Sequence, residues 1–353
     1  MVITLILFFL LLSVIITIHE AGHLFAAKKF GVYCYEFSFG MGTVIFKRQK
    51  GETQYSIRAL PIGGFVAMAG EQDGDEAYPD VHVPEGRRLT EQKWWKKVII
   101  MLAGVFMNFV LAYAIFVGIA LAAGGVQMSP EPVVGSVVAS SPAEQAGFEA
   151  GDRIIKITAE DGSSVKPKTF LDMQSFNTEG QACVYTVERD GQTLELTVTP
   201  AYDEESGAYL IGITSVEGKY VKVTPANCLY FGGYYMVTMT RLMFQAIGTI
   251  FHGSGLKQLS GPVGIYKATG QAASMGFGSY MLLIAELSLN VGIFNLLPLP
   301  VLDGGQVVIT LGEAICRHKL NEKVKTGLML GCWALLIVLM VFVTWKDIAS
   351  LFA

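Results

Sequence analysis

The sequence predicts a polytopic α-helical membrane protein with four transmembrane helices, a membrane-associated β-hairpin region and an inserted extracytoplasmic β-rich domain. Three observations carry that expectation. The 353 residues are 52% hydrophobic and only 16% charged, with mean hydropathy +0.46, whereas an ordinary soluble chain carries about 25% charged residues. Apolar runs at about 2–27, 98–123, 280–300 and 327–345 are each long enough to cross a hydrocarbon core of roughly 30 Å. Between the second and third runs, alternating strands and turn pairs replace the apolar pattern.

The first run stays uncharged until His19-Glu20-Ala21-Gly22-His23. Ionisable groups inside a membrane are costly and usually mark function. Two histidines at i and i+4 share one helix face and can clamp a metal ion. Glu20 lies off that face and suits a general base toward an activated water. His19 lies roughly 25 Å along the helix from Val2, near the far edge of the membrane core. Lys28 and Lys29 mark the exit. With neither a basic leader nor a small-residue cleavage site, the run is expected to be a retained span rather than a cleaved signal.

Residues 28–97 hold eleven Lys and Arg, against ten in the much longer stretch 122–278. The denser loop should be cytoplasmic, which puts the His-Glu motif near the cytosol. Strands expected at 43–46 and 55–60 flank Lys50-Gly51-Glu52, and another extended run covers 62–68 after Pro61. A sheet this close to the motif would dip into the membrane and offer a free edge to an extended substrate. Residues 72–88, acidic and proline-containing, read as a mobile cytoplasmic loop. Lys93-Trp94-Trp95-Lys96-Lys97 is an interfacial anchor. In the second span, Gly104 and Asn108 form a small, polar stripe suited to close helix packing.

The insert shows strands at 133–138, 153–158, 183–189, 194–199 and 209–214, with Asp190-Gly191 as a turn. Residues 229–250 are apolar and aromatic but contain Gly232-Gly233, Arg241 and Gln245. Counting them as a span would put the two ends of the protein's motif set on opposite faces, so they read as amphipathic helices on the outer surface. The third span carries Glu286, Asn290 and Asn295 and meets Pro298 and Pro300, which break the helix. The resulting divisions are a first membrane half at 1–123, the β-rich domain at 124–220, surface helices at 221–278 and a second membrane half at 279–353.

The five cysteines are scattered and never in Cys-x-x-Cys spacing, so a metal must be held by His and carboxylate. A catalytic zinc commonly takes three protein ligands. Asp303, a carboxylate at a span's end beside Gly304 and Gly305, is the best candidate for the third. It reaches the depth of His19 and His23 because the first and third spans run in the same direction. Net charge of −4 without a basic cluster excludes a nucleic-acid partner. A metal transporter would line several spans with polar groups, and spans two and four have almost none.

The His19–His23 motif together with Asn295-Leu296-Leu297-Pro298-Leu299-Pro300-Val301-Leu302-Asp303-Gly304-Gly305 resembles the site-2 protease family of intramembrane zinc metalloproteases. Ser141-Pro142-Ala143-Glu144-Gln145-Ala146-Gly147 and Glu149-Ala150-Gly151-Asp152-Arg153-Ile154 resemble the helix-to-strand signature of PDZ domains, and Tyr209-Leu210-Ile211-Gly212-Ile213 resembles the strand beside their peptide groove. With Leu259-Ser260-Gly261-Pro262-Val263-Gly264, that insert is similar to the bacterial RseP-like branch, here with a single PDZ domain. The resemblance implies Zn2+ on His19, His23 and Asp303, Glu20 as base, and substrate held by Asn295 with Pro298 and Pro300. It further implies single-span membrane proteins as substrates (anti-sigma factors or signal-peptide remnants), a bacterial plasma-membrane location and a peptide or protein ligand for the PDZ domain. Gln306 stands where many relatives place a histidine, which affects none of these roles.

Overall fold

The computed structural model describes residues 2–176, 180–203, 208–251, 261–318 and 320–349. Its helices, in chain order, are α1 (Val2–Lys29), α2 (Gln72–Ala77), α3 (Trp94–Ala123), α4 (Pro142–Gln145), α5 (Cys228–Phe251), α6 (Pro262–Ser274), α7 (Phe277–Asn295), α8 (Asp303–Cys316) and α9 (Glu322–Ala349). Among the described residues, α1, α3, α7 and α9 are long and apolar enough to cross a membrane. The chain divides into two compact units, residues 1–119 with 228–353, and residues 120–227.

In the first unit α7 packs on both α1 and α3. Leu11 and Ile15 of α1 pack on Tyr280 and Ile284, and Ala112 and Phe116 of α3 pack on Ala285, Leu289 and Ile293. Two polar groups on α7 find partners across this apolar packing, where an unpaired group would be costly. The Tyr280 hydroxyl donates to Leu7 O at 2.8 Å, and Ser288 Oγ donates to Asn108 O at 3.0 Å. α7 stops at Asn295 rather than at the expected residue 300. Pro298 and Pro300 follow in a tight turn, and proline cannot continue the helical ladder.

The segment expected as surface helices forms one unbroken 24-residue helix, α5, followed by α6. Gly232 does not break α5 because it lets the helix approach α3, where an added Cβ would stand 2.3 Å from Val117 Cγ2. The rings of Phe116 and Tyr235 stack alongside. Leu259 and Ser260 lie outside the described residues; the rest of that motif, Gly261–Gly264, opens α6. Asp347 of α9 accepts hydrogen bonds from Gly261 N and Gly264 N, both 2.8 Å, and so fastens the last helix to the start of α6.

The loop after α1 folds into β1 (Cys34–Lys50) and β2 (Thr53–Met68). Residues 34–39 pair on one side with 64–68 (Phe37 opposite Val66) and on the other with 54–57 (Phe37 opposite Tyr55). The two strands therefore curl into a sheet more elaborate than a hairpin. Gly40 makes the reversal possible: its φ is +83°, and a Cβ there would meet Leu60 O at 2.5 Å. Leu24, Ala27, Val66, Met68, Leu89 and Ile100 seal the sheet to α1 and α3.

Residues 72–88 pack on this sheet instead of standing free as a loop. The Tyr78 ring stacks on Tyr35 with centroids 5.0 Å apart, and Arg87 pairs with Glu52 at 2.6 Å. Aromatic and basic groups within an acidic stretch supplied the partners that composition alone conceals.

The second unit is β-rich. β3 (Gly125–Gln127), β4 (Val134–Val137), β5 (Arg153–Ala159), β6 (Ser164–Val165), β7 (Cys183–Arg189), β8 (Gln192–Val198), β9 (Ala201–Asp203), β10 (Ala208–Leu210), β11 (Ile213–Ser215) and β12 (Tyr220–Lys222) occur in that order. The central antiparallel sheet runs β6-β5-β7-β8, with β4 paired to β11, β9 to β10 and β3 to β12. Ile154, Ile157, Tyr185, Val187 and Ile211 form its core. Ser141 caps α4 by accepting from Glu144 N at 3.3 Å. The strand expected across 209–214 is interrupted at Gly212, whose φ of +85° ends β10 and restarts the chain as β11.

Candidate metal centre

The apolar run that makes α1 helical also delivers His19 and His23, one turn apart, to a single buried face. Asp303 arrives from the opposite end of the sequence, at the first turn of α8. The proline turn before it folds back closely: Cβ atoms on Gly304 and Gly305 would stand 2.3 Å from Leu296 O and 2.0 Å from Leu299 O. Only glycine allows the start of α8 to lie under that turn.

The three side chains meet. His19 Nε2 and His23 Nε2 are 3.1 Å apart, and Asp303 Oδ2 lies 3.1 Å from the first and 3.5 Å from the second. Nitrogen and oxygen ligands bound tetrahedrally to zinc at about 2.0–2.1 Å stand about 3.3 Å from one another. The observed triangle matches that spacing. Asp303 Oδ2 is buried and has no hydrogen bond of acceptable geometry, although it is within ion-pair distance of both rings. Three lone-pair atoms turned toward a common point, one of them an unsatisfied anionic oxygen, fit a bound divalent cation. Both histidines are buried, while the Asp303 side chain is 20% exposed, leaving an approach from one side.

The surroundings orient the rings. His23 Nδ1 lies 2.8 Å from Ile100 O on α3, an acceptor, so the proton sits on Nδ1 and Nε2 keeps its lone pair. Asn108, fully buried one helical face along, places Nδ2 3.2 Å from His19 Nδ1. Gly104 lies against both rings; a Cβ there would come within 2.4 Å of His23 Nε2 and 2.8 Å of His19 Cε1. The helix-packing role expected of Gly104 and Asn108 thus also brings both residues into contact with the histidines. The available signal was a polar residue four positions beyond a glycine in an otherwise apolar span.

Glu20 is directed to the sheet, where its Oε2 accepts the Val66 backbone N–H at 3.2 Å. Residues 64–68 therefore pair with 34–39 along one edge and turn toward α1 along the other. Glu36 anchors the neighbouring strands from a fully buried position. Burial alone would raise its carboxyl, but hydrogen bonds from Ser56, Tyr78 and Arg58 hold it below the usual carboxylate range. Asn295 ends α7 half-exposed; Pro298 is exposed and Pro300 half-exposed in the following turn.

Residues 7–339 match peptidase family M50. The chain is 37% identical over 338 residues to a candidate zinc metalloprotease of Clostridium perfringens, covering 95% of this chain and 96% of that one. It is 30% identical over 423 residues to the zinc metalloprotease RasP of Shouchella clausii, covering 99% of this chain and all of that one. A candidate zinc metalloprotease of Staphylococcus aureus is 30% identical over 436 residues, with 99% of both chains covered.

Proposed function

The chain belongs to peptidase family M50, the zinc metalloendopeptidases of the site-2 protease type, and from that premise we propose which residues do its work and on what substrates. His19, His23 and Asp303 hold the zinc, and Glu20 is the general base. The observation that carries this assignment is the matched triangle of ligand atoms with its unsatisfied Asp303 Oδ2.

Zinc held there supplies the Lewis acid that activates a water and polarises the scissile carbonyl. Glu20 takes the proton as the water oxygen bonds to the carbonyl carbon, and returns it to the amine as the C–N bond breaks. The hydrogen bond from Val66 N–H orients the Glu20 side chain for these transfers.

The substrate is the transmembrane segment of a single-span membrane protein, of the kind found in anti-sigma factors or signal-peptide remnants. Such a helix conceals its carbonyls in internal hydrogen bonds, so it unwinds before cleavage. The outer edge of 64–68, beside Glu20, and Asn295 with the Pro298–Pro300 turn receive the extended backbone. Residues 124–220 act as a PDZ domain on the extracytoplasmic side, taking a peptide or protein ligand and screening out substrates with large ectodomains. The catalytic residues open toward the cytoplasmic side of a bacterial plasma membrane, in keeping with the Lys/Arg excess of 28–97 and the bacterial relatives.

The test is cleavage of a panel of single-span substrates by full-length protein and by Glu20→Gln. The variant should retain zinc and lose cleavage. Proteolysis near the wild-type rate would remove Glu20 from its role, and cleavage restricted to soluble peptides would remove the membrane-segment substrate.

A further inference from the structure

The amide of Asn108 is fully buried, lies 3.2 Å from His19 Nδ1 through Nδ2, and leaves its Oδ1 without a partner. A neutral imidazole carries one N–H and one lone pair. Were Nδ2 to donate to Nδ1, the ring proton would sit on Nε2, the nitrogen that faces His23 and Asp303. That tautomer cannot bind metal through Nε2. Half a turn of the amide exchanges its oxygen and nitrogen within the same shape. Oδ1 then accepts Nδ1–H, and Nε2 presents its lone pair to the triangle. Either orientation leaves one amide atom unpaired, so the tautomer required for metal binding decides between them.

We propose that Asn108 is a positioning residue for the metal: its Oδ1 accepts Nδ1–H of His19 and fixes the ring in the zinc-binding tautomer. The inference rests on the reading of His19, His23 and Asp303 as zinc ligands. Ile100 O performs the same service for His23 at 2.8 Å, so one helix, α3, orients both rings. Close approach is what makes this possible. A Cβ on Gly22 would stand 2.3 Å from Ala103 O, and one on Gly104 would strike both rings. The Asn108 backbone is itself fastened to α7 by the Ser288 hydroxyl at 3.0 Å.

The experiment is zinc titration of purified, chelator-stripped full-length protein against a chromophoric competitor. Wild type, Asn108→Asp and Asn108→Leu are compared, with thermal unfolding of the metal-free forms alongside. Aspartate keeps an acceptor at Nδ1, whereas leucine keeps the shape and removes it. Asn108→Leu should bind zinc about 10- to 100-fold more weakly, while Asn108→Asp stays near wild type even though its metal-free form unfolds at lower temperature. A packing role alone gives the reverse order, with leucine tolerated and aspartate impaired in both measurements; that order, or wild-type affinity in Asn108→Leu, would overturn the proposal. If leucine prevents folding, Asn108→Ala carries the same expectation. Failure of the wild-type protein itself to take up zinc would instead bring down the ligand assignment on which the proposal stands.

Discussion

The Val66 backbone N–H donates to Glu20 Oε2 at 3.2 Å, joining a strand to the one acidic residue of the His-Glu motif. The same strand edge that would receive substrate therefore also sets the carboxylate's direction. Val66→Pro deletes that donor, the backbone N–H that Val66 gives to Glu20. Zinc content should be unchanged and kcat should fall on the order of 10-fold, a fraction of what a general base contributes. An unchanged kcat would separate the strand from catalysis.

Gly104 offers a steric test. In Gly104→Ala the new methyl would come within 2.4 Å of His23 Nε2. Ligand displacement of about 1 Å typically lowers activity roughly 100-fold, so both zinc affinity and turnover should drop. Gly118, on the same helix with open space around its Cα, is the control. Gly118→Ala should leave activity intact and stabilise the helix by about 0.5–1 kcal/mol. Equal behaviour of the two variants would contradict the close approach of α3 to the rings.

The three residues of the candidate metal centre were legible because they are marked by local spacing. His19 and His23 declare themselves by i, i+4 placement in an apolar helix, and Asp303 by its glycines and by span parity. The contacts that Ile100, Gly104, Asn108 and Val66 make with the motif were not legible, since each depends on which distant segments touch. α8 was not anticipated either: Gly304 and Gly305 weaken the helix signal at its start, and only their contact with Leu296 O and Leu299 O explains them. Similarly, α5 runs through Gly232 because of Val117, a contact no window of sequence contains.

Glu36 holds the sheet that lies beside the site. Its carboxylate is fully buried and paired with Arg58 at 2.8 Å. Glu36→Gln removes the charge and leaves Arg58 with an incomplete partner. The sheet should loosen by about 3 kcal/mol, as when one member of a buried pair is lost. Faster proteolysis or hydrogen exchange confined to 34–68 is the expected readout; exchange equal to wild type would show that the network contributes little.

The β-rich unit carries a pH signature. Asp152 is fully buried; desolvation pushes its carboxyl up, but Arg189, bonding both carboxylate oxygens at 2.6 and 2.7 Å, holds it below the usual range. A carboxyl lowered on folding contributes stability that is complete above its unfolded value, about 3.9, and is lost as pH falls through the folded value. Thermal unfolding of this unit in the full chain should therefore weaken below about pH 4. Asp152→Asn should be less stable at neutral pH and show a flatter acid limb. A variant with the wild-type acid limb would assign that limb to another group.

Zinc held by His19, His23 and Asp303 requires α1 and the start of α8 to converge on a single ion. Zinc per chain should be measured on purified full-length protein, Glu20→Gln and Asp303→Ala after mild chelation. One zinc in the wild type and in Glu20→Gln, with loss in Asp303→Ala, is the predicted result. Zinc retained at wild-type affinity without the Asp303 carboxylate would contradict it.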